Sequence, residues 1–289
     1  MLTYTQIGKF GRLGNQLFQY AALVGMANKV GVEVKLPPLG SLGSWHSQNC
    51  LLENFSISCG ILDEPIHESI REPMNIDYYC PSVLERISSN PEKNYDLLGY
   101  FQTMRYFYGA DEQIKKELTP QKHYIDEAKE YIESIRTNNQ QVVSIHLRRG
   151  DNTDGTNPNY GQYNDSDIFD TSTIYGSYLS TAMEKFSDKN CKFLVFTGGS
   201  RTGDDSKDIA WANNSFKSDN IMVSDSNDPM KDFSRIMCCD HNIVSHMSSF
   251  GWWAAYLNIN KETVTVAPKN YHLDNHRRGG FYPKKWSVI

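Results

Sequence analysis

Residues 142–151, Val142-Val143-Ser144-Ile145-His146-Leu147-Arg148-Arg149-Gly150-Asp151, decide the fold class of this chain. The stretch opens with an apolar run of strand length, and charged side chains follow as soon as the run ends. Open α/β sheets bind their ligands at the carboxyl ends of the strands. We therefore expect a strand over 142–147 whose carboxyl end carries a ligand site.

Helices and strands are predicted to alternate along the rest of the second half. The apolar spacing predicts helices over 171–186, 209–216, 229–239 and 250–257, and strands over 193–196, 221–223, 243–245 and 264–267. Repeated β-α alternation implies a parallel sheet that helices cover on both faces.

The first half begins with a unit of the same kind. In order, the pattern predicts a strand (2–7), a glycine-rich loop (8–14), a helix (15–30) capped by Gly31, a second strand (32–36), loops and short helices (37–96) and helical periodicity over 111–136. The polar run 137–141 suggests a boundary. We predict an α/β fold of two Rossmann-like domains, 1–138 and 139–289, with a cleft between them.

The composition excludes several classes of protein. A formal net charge of -5 over 289 residues argues against nucleic-acid binding, so any bound anion needs a local basic patch. No apolar run approaches the length of a transmembrane segment and no signal peptide is evident, which predicts a cytoplasmic location. The six cysteines show no metal-binding spacing, and we expect reduced thiols.

Three motifs carry the candidate chemistry. Arg148 and Arg149 suit a diphosphate because a guanidinium bridges two oxygens and keeps its charge, and Asp151 is close enough to orient one of them. Gly11-Arg12-Leu13-Gly14-Asn15-Gln16 opens the first helix, where it predicts either close contact with a ligand or a tight turn capped by Asn15. Ser248 to Ala255 places two serines at a helix start, and Trp252 and Trp253 are expected to pack.

These motifs resemble those of the bacterial α-1,2-fucosyltransferase family. The resemblance rests on residues 11–21, on the H-x-R-R-x-D pattern of 146–151, on Ser248 to Ala255, on Leu98-Gly99-Tyr100-Phe101-Gln102 and on the ending Ala267-Pro268…Trp286. It implies a GT-B architecture and inverting transfer of fucose from GDP-fucose to the 2-hydroxyl of a β-galactoside. Neither a metal nor a cofactor is implied.

The resemblance also implies roles for single residues. Arg148 would neutralise the leaving β-phosphate, and Asn15 would lie beside the reacting centre. Inversion in one displacement also needs a base, and Asp151, the only carboxylate of the motifs, is either that base or the group that orients Arg148 or Arg149. The expected substrate contacts are Gly14, His146, Arg149, Gly198, Gly199, Ser248, Ser249 and Phe250.

One segment departs from the family pattern. The family shows S-D-D after the strand 193–196, whereas this chain reads Thr197-Gly198-Gly199-Ser200-Arg201-Thr202-Gly203-Asp204-Asp205. Three interpretations stay open: Asp204 or Asp205 folds back, the base is read by the backbone of Gly198 and Gly199, or the nucleotide preference differs.

Other candidates are weaker. Asp165-Ser166-Asp167 matches a D-x-D metal pattern but is expected to be a pair of solvated loop acids. His241 and His246 bracket a strand without acidic ligands, so a metal there is not expected. A basic tail patch comprises His272, His276, Arg277 and Arg278, and acceptor contacts are expected from 39–50 and 78–81.

Two other functions remain possible at this point. A related GT-B transferase could use a different nucleotide-sugar or acceptor. A degenerate relative could bind a nucleotide or a glycan without catalysis.

Overall fold

A computed structural model of the chain describes residues 1–45, 48–73, 79–154, 164–270 and 280–289. These residues form two compact units. The first comprises 1–121 and 280–283, and the second comprises 122–270 and 284–289. The basic tail patch and Tyr78 lie outside the described residues.

The first unit is built around a buried helix. Its elements are β1 (Leu2–Thr3), α1 (Leu13–Val30), β2 (Lys35–Leu36), β3 (Ser44–Trp45), β4 (Gln48–Asn49), β5 (Gly60–Ile61), β6 (Glu68–Arg71), α2 (Pro81–Ser89), β7 (Tyr95–Leu98) and α3 (Asp111–Glu117). β1, β7 and β6 form a parallel sheet in that order, and β2 pairs in parallel with β5. Residues 16–27 of α1 are all buried. As predicted, Gly31 ends α1 in the left-handed conformation, with φ at 77°.

The second unit is a single parallel sheet with helices. Its elements are α4 (Lys122–Ile135), β8 (Gln141–Arg148), α5 (Ile174–Glu184), β9 (Cys191–Gly198), α6 (Ser206–Ser215), β10 (Ile221–Val223), α7 (Pro229–Cys238), β11 (His241–Ile243), α8 (Ser249–Tyr256), β12 (Thr265–Ala267) and β13 (Ser287–Val288). The strands run in the order β10-β9-β8-β11-β12-β13. Every pairing in this sheet is parallel, which confirms the α/β prediction.

One buried core of the second unit lies between the sheet and helices α5 and α6. Val143, Ile145, Val195 and Ile243 project from the strands into one buried cluster. From α5, the Tyr178 hydroxyl donates to the backbone oxygens of Val244 (2.6 Å) and Val266 (3.0 Å). The apolar residues of the strands lie in this core, and the polar residues that follow them lie at the carboxyl edge of the sheet.

Two sequence predictions need correction. The helical periodicity over 111–136 belongs to two helices, because Pro120 has no N–H to donate and its ring clashes with a continuous helix. The irregular region 37–96 contains β6, an edge strand that pairs with β7 and that the sequence did not reveal.

The units divide at residue 121, whereas the sequence suggested a boundary at 138. The helix between these positions, α4, packs on α7 of the second unit. Arg235 of α7 lies 2.6 Å from Glu127 and stacks 3.6 Å over the ring of Tyr131.

Three smaller predictions have clear outcomes. All six cysteines are free, as expected. Trp252 and Trp253 are fully buried, which confirms that they pack. Among the described helices, none is both long and apolar enough to cross a membrane.

Candidate active site

The carboxyl edge of the second sheet brings most of the predicted site residues together. β8 and β9 pair along eight residues and end side by side, with Arg148 opposite Gly198. The Arg149 backbone N–H donates to Gly198 (3.0 Å), and the Arg148 N–H donates to the Ser245 hydroxyl that follows β11 (3.1 Å). Adjacent strand ends therefore hold the arginine cluster and the two glycines in one place.

Arg148 is fixed at this edge by two contacts. Its Nη2 pairs with Asp151 Oδ1, and its Nη1 donates to the Gly198 oxygen at 3.3 Å. The guanidinium lies where Gly199 has no side chain, since a Cβ there would be 1.1 Å from Nη1. Gly199 also has φ of +107°, a conformation that favours glycine. Gly198 therefore binds the Arg148 guanidinium through its backbone oxygen, and Gly199 leaves room for it.

Arg149 contacts a different set of residues from those that contact Arg148. Its Nε donates to Asp208 (2.9 Å), its Nη1 donates to Asp165 (2.6 Å), and its guanidinium stacks 3.6 Å over the Trp211 ring. Burial raises the pKa of Asp208, and Arg149 opposes that rise. These contacts support a positioning role for Arg149, and its predicted substrate contact stays a prediction.

The acidic loop 165–167 is more than a pair of solvated acids, which corrects that expectation. Asp165 is half exposed and neutralises Arg149. Asp167 takes part in a capping box, in which its carboxylate accepts from the backbone N–H of Asn164 at 2.7 Å.

The segment after β9 answers which aspartate folds back. Asp205 Oδ1 accepts from the backbone N–H groups of Gly199 (2.9 Å) and Ser200 (2.8 Å). Asp204 instead accepts from Ser206 N–H at the surface. The Asp205 carboxylate therefore holds in place the loop against which Arg148 packs.

His146 and the start of α8 form the neighbouring part of the edge. Burial lowers the pKa of His146 to about 4, so the imidazole is neutral at pH 7. Its ring lies 5.4 Å from that of Phe250, and its Nδ1 has no hydrogen-bond partner among the described residues. Ser248 caps α8, as predicted, by accepting from Gly251 N–H at 3.1 Å, and Ser249 begins the helix.

The first unit holds Gly14 and Asn15. Both lie in the first turn of α1, whose cap position is Arg12, so the alternative of an Asn15 cap is wrong. Gln102 Nε2 donates to Asn15 Oδ1, and Gly11 leaves room for this amide, since a Cβ there would lie 2.1 Å from Asn15 Nδ2. Gln102 thereby orients the Asn15 side chain.

The turn that carries Gln102 is held by a buried carboxylate. Glu72 Oε2 accepts from the N–H groups of Tyr100 (2.9 Å) and Phe101 (2.7 Å). Phe101 has φ of +50°, a strained value for a side chain of its size. The stretch Leu98–Gln102, which is part of the family resemblance, therefore holds the Asn15 side chain in place.

The sequence model described as "Glycosyl transferase family 11" matches residues 2–289. The chain belongs to glycosyltransferase family 11. Among curated proteins, it is 27% identical over 277 residues to galactoside alpha-(1,2)-fucosyltransferase 2 of Bos taurus, covering 92% of this chain and 72% of the relative. It is 28% identical to the protein of the same name from Rattus norvegicus, covering 92% of this chain and 70% of that relative.

Solved structures show the fold that this family 11 chain shares. Fucosyltransferase NodZ from Bradyrhizobium matches with a TM-score of 0.54 at 12% identity, covering 88% of this chain and 91% of that one. POFUT1 in complex with GDP matches with a TM-score of 0.54 at 10% identity, covering 99% and 97%. The fold is of the GT-B type expected from the sequence.

Asp232 is a candidate site residue that was not predicted from the sequence. It lies in the first turn of α7, at the edge where β10 ends, and accepts from the Ser224 hydroxyl at 2.7 Å. Burial raises its pKa to about 7, and the nearby carboxylates of Asp205 and Asp228 add to the shift. A perturbed carboxyl group at a ligand-binding edge is a common mark of function. Its position after a β-α turn at the same edge was the available signal.

The two histidines that were considered for metal binding have structural roles. His241 Nδ1 accepts from Val264 N–H at 3.1 Å, and its Nε2 lies 3.2 Å from Gln141 Oε1. His246 is buried between the rings of Tyr175 and Tyr178, and burial lowers its pKa to about 4. Both side chains therefore serve the packing around β11.

Proposed function

We propose that this family 11 chain is an inverting galactoside 2-α-L-fucosyltransferase. It moves L-fucose from GDP-fucose to the 2-hydroxyl of a β-galactoside at the end of a glycan. The proposal is carried by the similarity, over 92% of the chain, to proteins named galactoside alpha-(1,2)-fucosyltransferase. The fixed arginine at the carboxyl edge of the second sheet is the feature that suits this chemistry.

Arg148 is the residue to which we assign the leaving group. As the bond from fucose to the diphosphate breaks, negative charge grows on the β-phosphate. A guanidinium already held in place stabilises that charge without reorganisation in the transition state. For the same reason we propose that transfer needs neither a metal nor a cofactor. Asp151 pairs with Arg148, so we assign it to positioning rather than to proton transfer.

The remaining roles follow the position of each group. We propose that His146, Ser248, Ser249 and Phe250 contact the nucleotide. Gly14, Gly198 and Gly199 offer backbone atoms, and Asn15 donates a hydrogen bond beside the reacting carbon, since its oxygen accepts from Gln102.

Recognition of guanine is assigned to Asp232. Asp205 is engaged with the Gly199 and Ser200 amides, so it is a poor partner for the base. The N1–H and N2–H groups of guanine are adjacent donors, and one ionised carboxylate accepts from both. Asp232 offers such a carboxylate at the same edge of the sheet.

Transfer is tested by incubating the protein with GDP-fucose and lactose or N-acetyllactosamine in the presence of EDTA. We expect a fucosylated product and released GDP. Arg148→Ala is expected to lower the rate of transfer by about 10²–10³-fold with the fold intact, whereas Arg86→Ala, which removes an exposed arginine of the first unit, leaves the rate unchanged. Absence of both product and GDP-fucose hydrolysis in the wild-type protein would overturn the assignment.

A thermal-shift panel of nucleotides tests the donor separately. GDP alone is expected to raise the melting temperature, because a ligand that binds only the folded state stabilises it. Stabilisation by UDP instead would favour a related transferase with another donor. The cytoplasmic location stays a prediction, which cell fractionation would test.

A further inference from the structure

The segment that departs from the family pattern carries an arginine beside the proposed phosphate site. Arg201 Nε lies 3.7 Å from Asp151 Oδ2, while Oδ1 of the same carboxylate pairs with Arg148. Asp151 is therefore placed between two guanidinium groups. The segment 197–205 thus lacks the family's acidic residues directly after β9 and carries a basic residue, Arg201.

The loop of Arg201 is closely tied to the loop of Arg148. Gly150 packs directly on the backbone of Gly199 and Ser200, where a Cβ would lie 2.2–2.4 Å from their atoms. Asp151 N–H donates to the Gly199 oxygen (3.3 Å), and Asp205 fastens Gly199 and Ser200 from the other side. The position of Arg201 next to Asp151 thus follows from a backbone that is held at both ends.

Arg148, Arg201 and Asp151 together carry one net positive charge. Asp208 and Asp165 both neutralise Arg149, so that arginine contributes no net positive charge. Arg148 and Arg201 share the single carboxylate of Asp151. Arg201 also keeps a third of its side-chain surface exposed, against 14% for Arg148. A partly exposed guanidinium that lies against the same carboxylate as a second guanidinium is suited to bind an anion.

We propose that Arg201 is a second phosphate ligand, which Asp151 holds beside Arg148 so that both arginines bind the diphosphate of the nucleotide-sugar. This inference rests on the proposed function and assigns a further residue to the same site. The planar fork of arginine suits two phosphate oxygens, so lysine should replace it poorly. Asp151 becomes the bridge that sets the spacing of the two cations.

The plain alternative is a surface ion pair between Arg201 and Asp151. Such pairs contribute little to stability, and their loss does not change the affinity for a phosphate. The two roles are therefore separated by measuring how affinity depends on the phosphates of the ligand.

Isothermal titration calorimetry with GDP and with guanosine makes that measurement on Arg201→Ala, Arg201→Lys and Arg201→Gln. Losing a charge-assisted hydrogen bond should weaken GDP binding by about 10- to 100-fold in the alanine and glutamine variants. The lysine variant should be weakened less. Guanosine affinity should be unchanged in all three. Arg86→Ala is the control, since it removes an equal charge from the first unit.

The outcomes separate this inference from the proposed function. If the wild-type protein binds no GDP and transfers no fucose, the proposed function fails. If it does both and the Arg201 variants bind GDP as tightly as Arg86→Ala does, the role of Arg201 is overturned while the function stands. An equal loss of GDP and guanosine affinity would also overturn it, because that result means a collapsed loop. Should one variant not fold, the other two give the same comparison.

Discussion

Gly199 offers the sharpest test of how the site is built, through the substitution Gly199→Ala. The new methyl group would lie 1.1 Å from Arg148 Nη1, so the guanidinium must move away from Gly199. The φ of +107° adds a backbone strain of about 1–3 kcal/mol for a residue with a side chain. Arg148 would then be displaced from the leaving phosphate. Loss of one such donor lowers kcat by about 10²–10³-fold.

Gly109→Ala is the matched control for the strain. Gly109 has φ of +91°, and no atom lies within 4 Å of the Cβ that would be added. Both variants should lose stability in thermal denaturation through backbone strain, with Gly199→Ala losing more because it also displaces Arg148, but only Gly199→Ala should lose transfer activity. Initial rates with GDP-fucose and lactose, measured at saturating donor, make the comparison.

The double variant Gly199→Ala/Arg148→Ala completes the test. If Gly199 acts by making room for Arg148, the double variant should be no slower than Arg148→Ala, because substitutions that act on one interaction are not additive. Rates that multiply would refute the reasoning, as would a Gly199→Ala enzyme that transfers fucose as fast as Gly109→Ala.

Two further predictions concern the carboxylates of the second unit. The pKa of Asp232 is raised to about 7, so the native state holds its proton more tightly than the unfolded chain does. The free energy of unfolding therefore falls as the pH rises towards 7, while the affinity for GDP-fucose should rise over the same pH range as the carboxylate ionises. Asp232→Asn should remove the pH dependence of GDP-fucose affinity in calorimetry. An affinity profile with the same pH dependence in Asp232→Asn would contradict the assignment. Asp240 accepts from Val142 N–H (2.7 Å) and pairs with Arg136 (2.9 Å), so Asp240→Ala should lower the free energy of unfolding by about 1–3 kcal/mol in urea denaturation. Asp126→Ala, at an exposed ion pair, should change it little, and equal losses in the two variants would count against the Val142 contact.

Much of the second unit could be predicted from the sequence because its signals are local. An apolar run followed by charged residues identified β8 and its ligand-binding end. The predicted strand 221–223 is observed with the same bounds, and the helix predicted over 229–239 ends one residue earlier. The first unit was predicted less well, since its strands are only two to four residues long and leave no periodic pattern. β6 lies among such short strands.

The sequence by itself determined the family, the α/β class and the identity of the arginine cluster, because these depend on residue types at fixed spacing along the chain. Only the tertiary structure decided what each charged group faces. Arg148 and Arg149 are neighbours in sequence, yet one rests on Gly199 and Asp151 while the other is enclosed by Asp208, Asp165 and Trp211. Asp208 and Trp211, which belong to the distant helix α6, set that difference, and no local sequence pattern predicts a contact over such a separation.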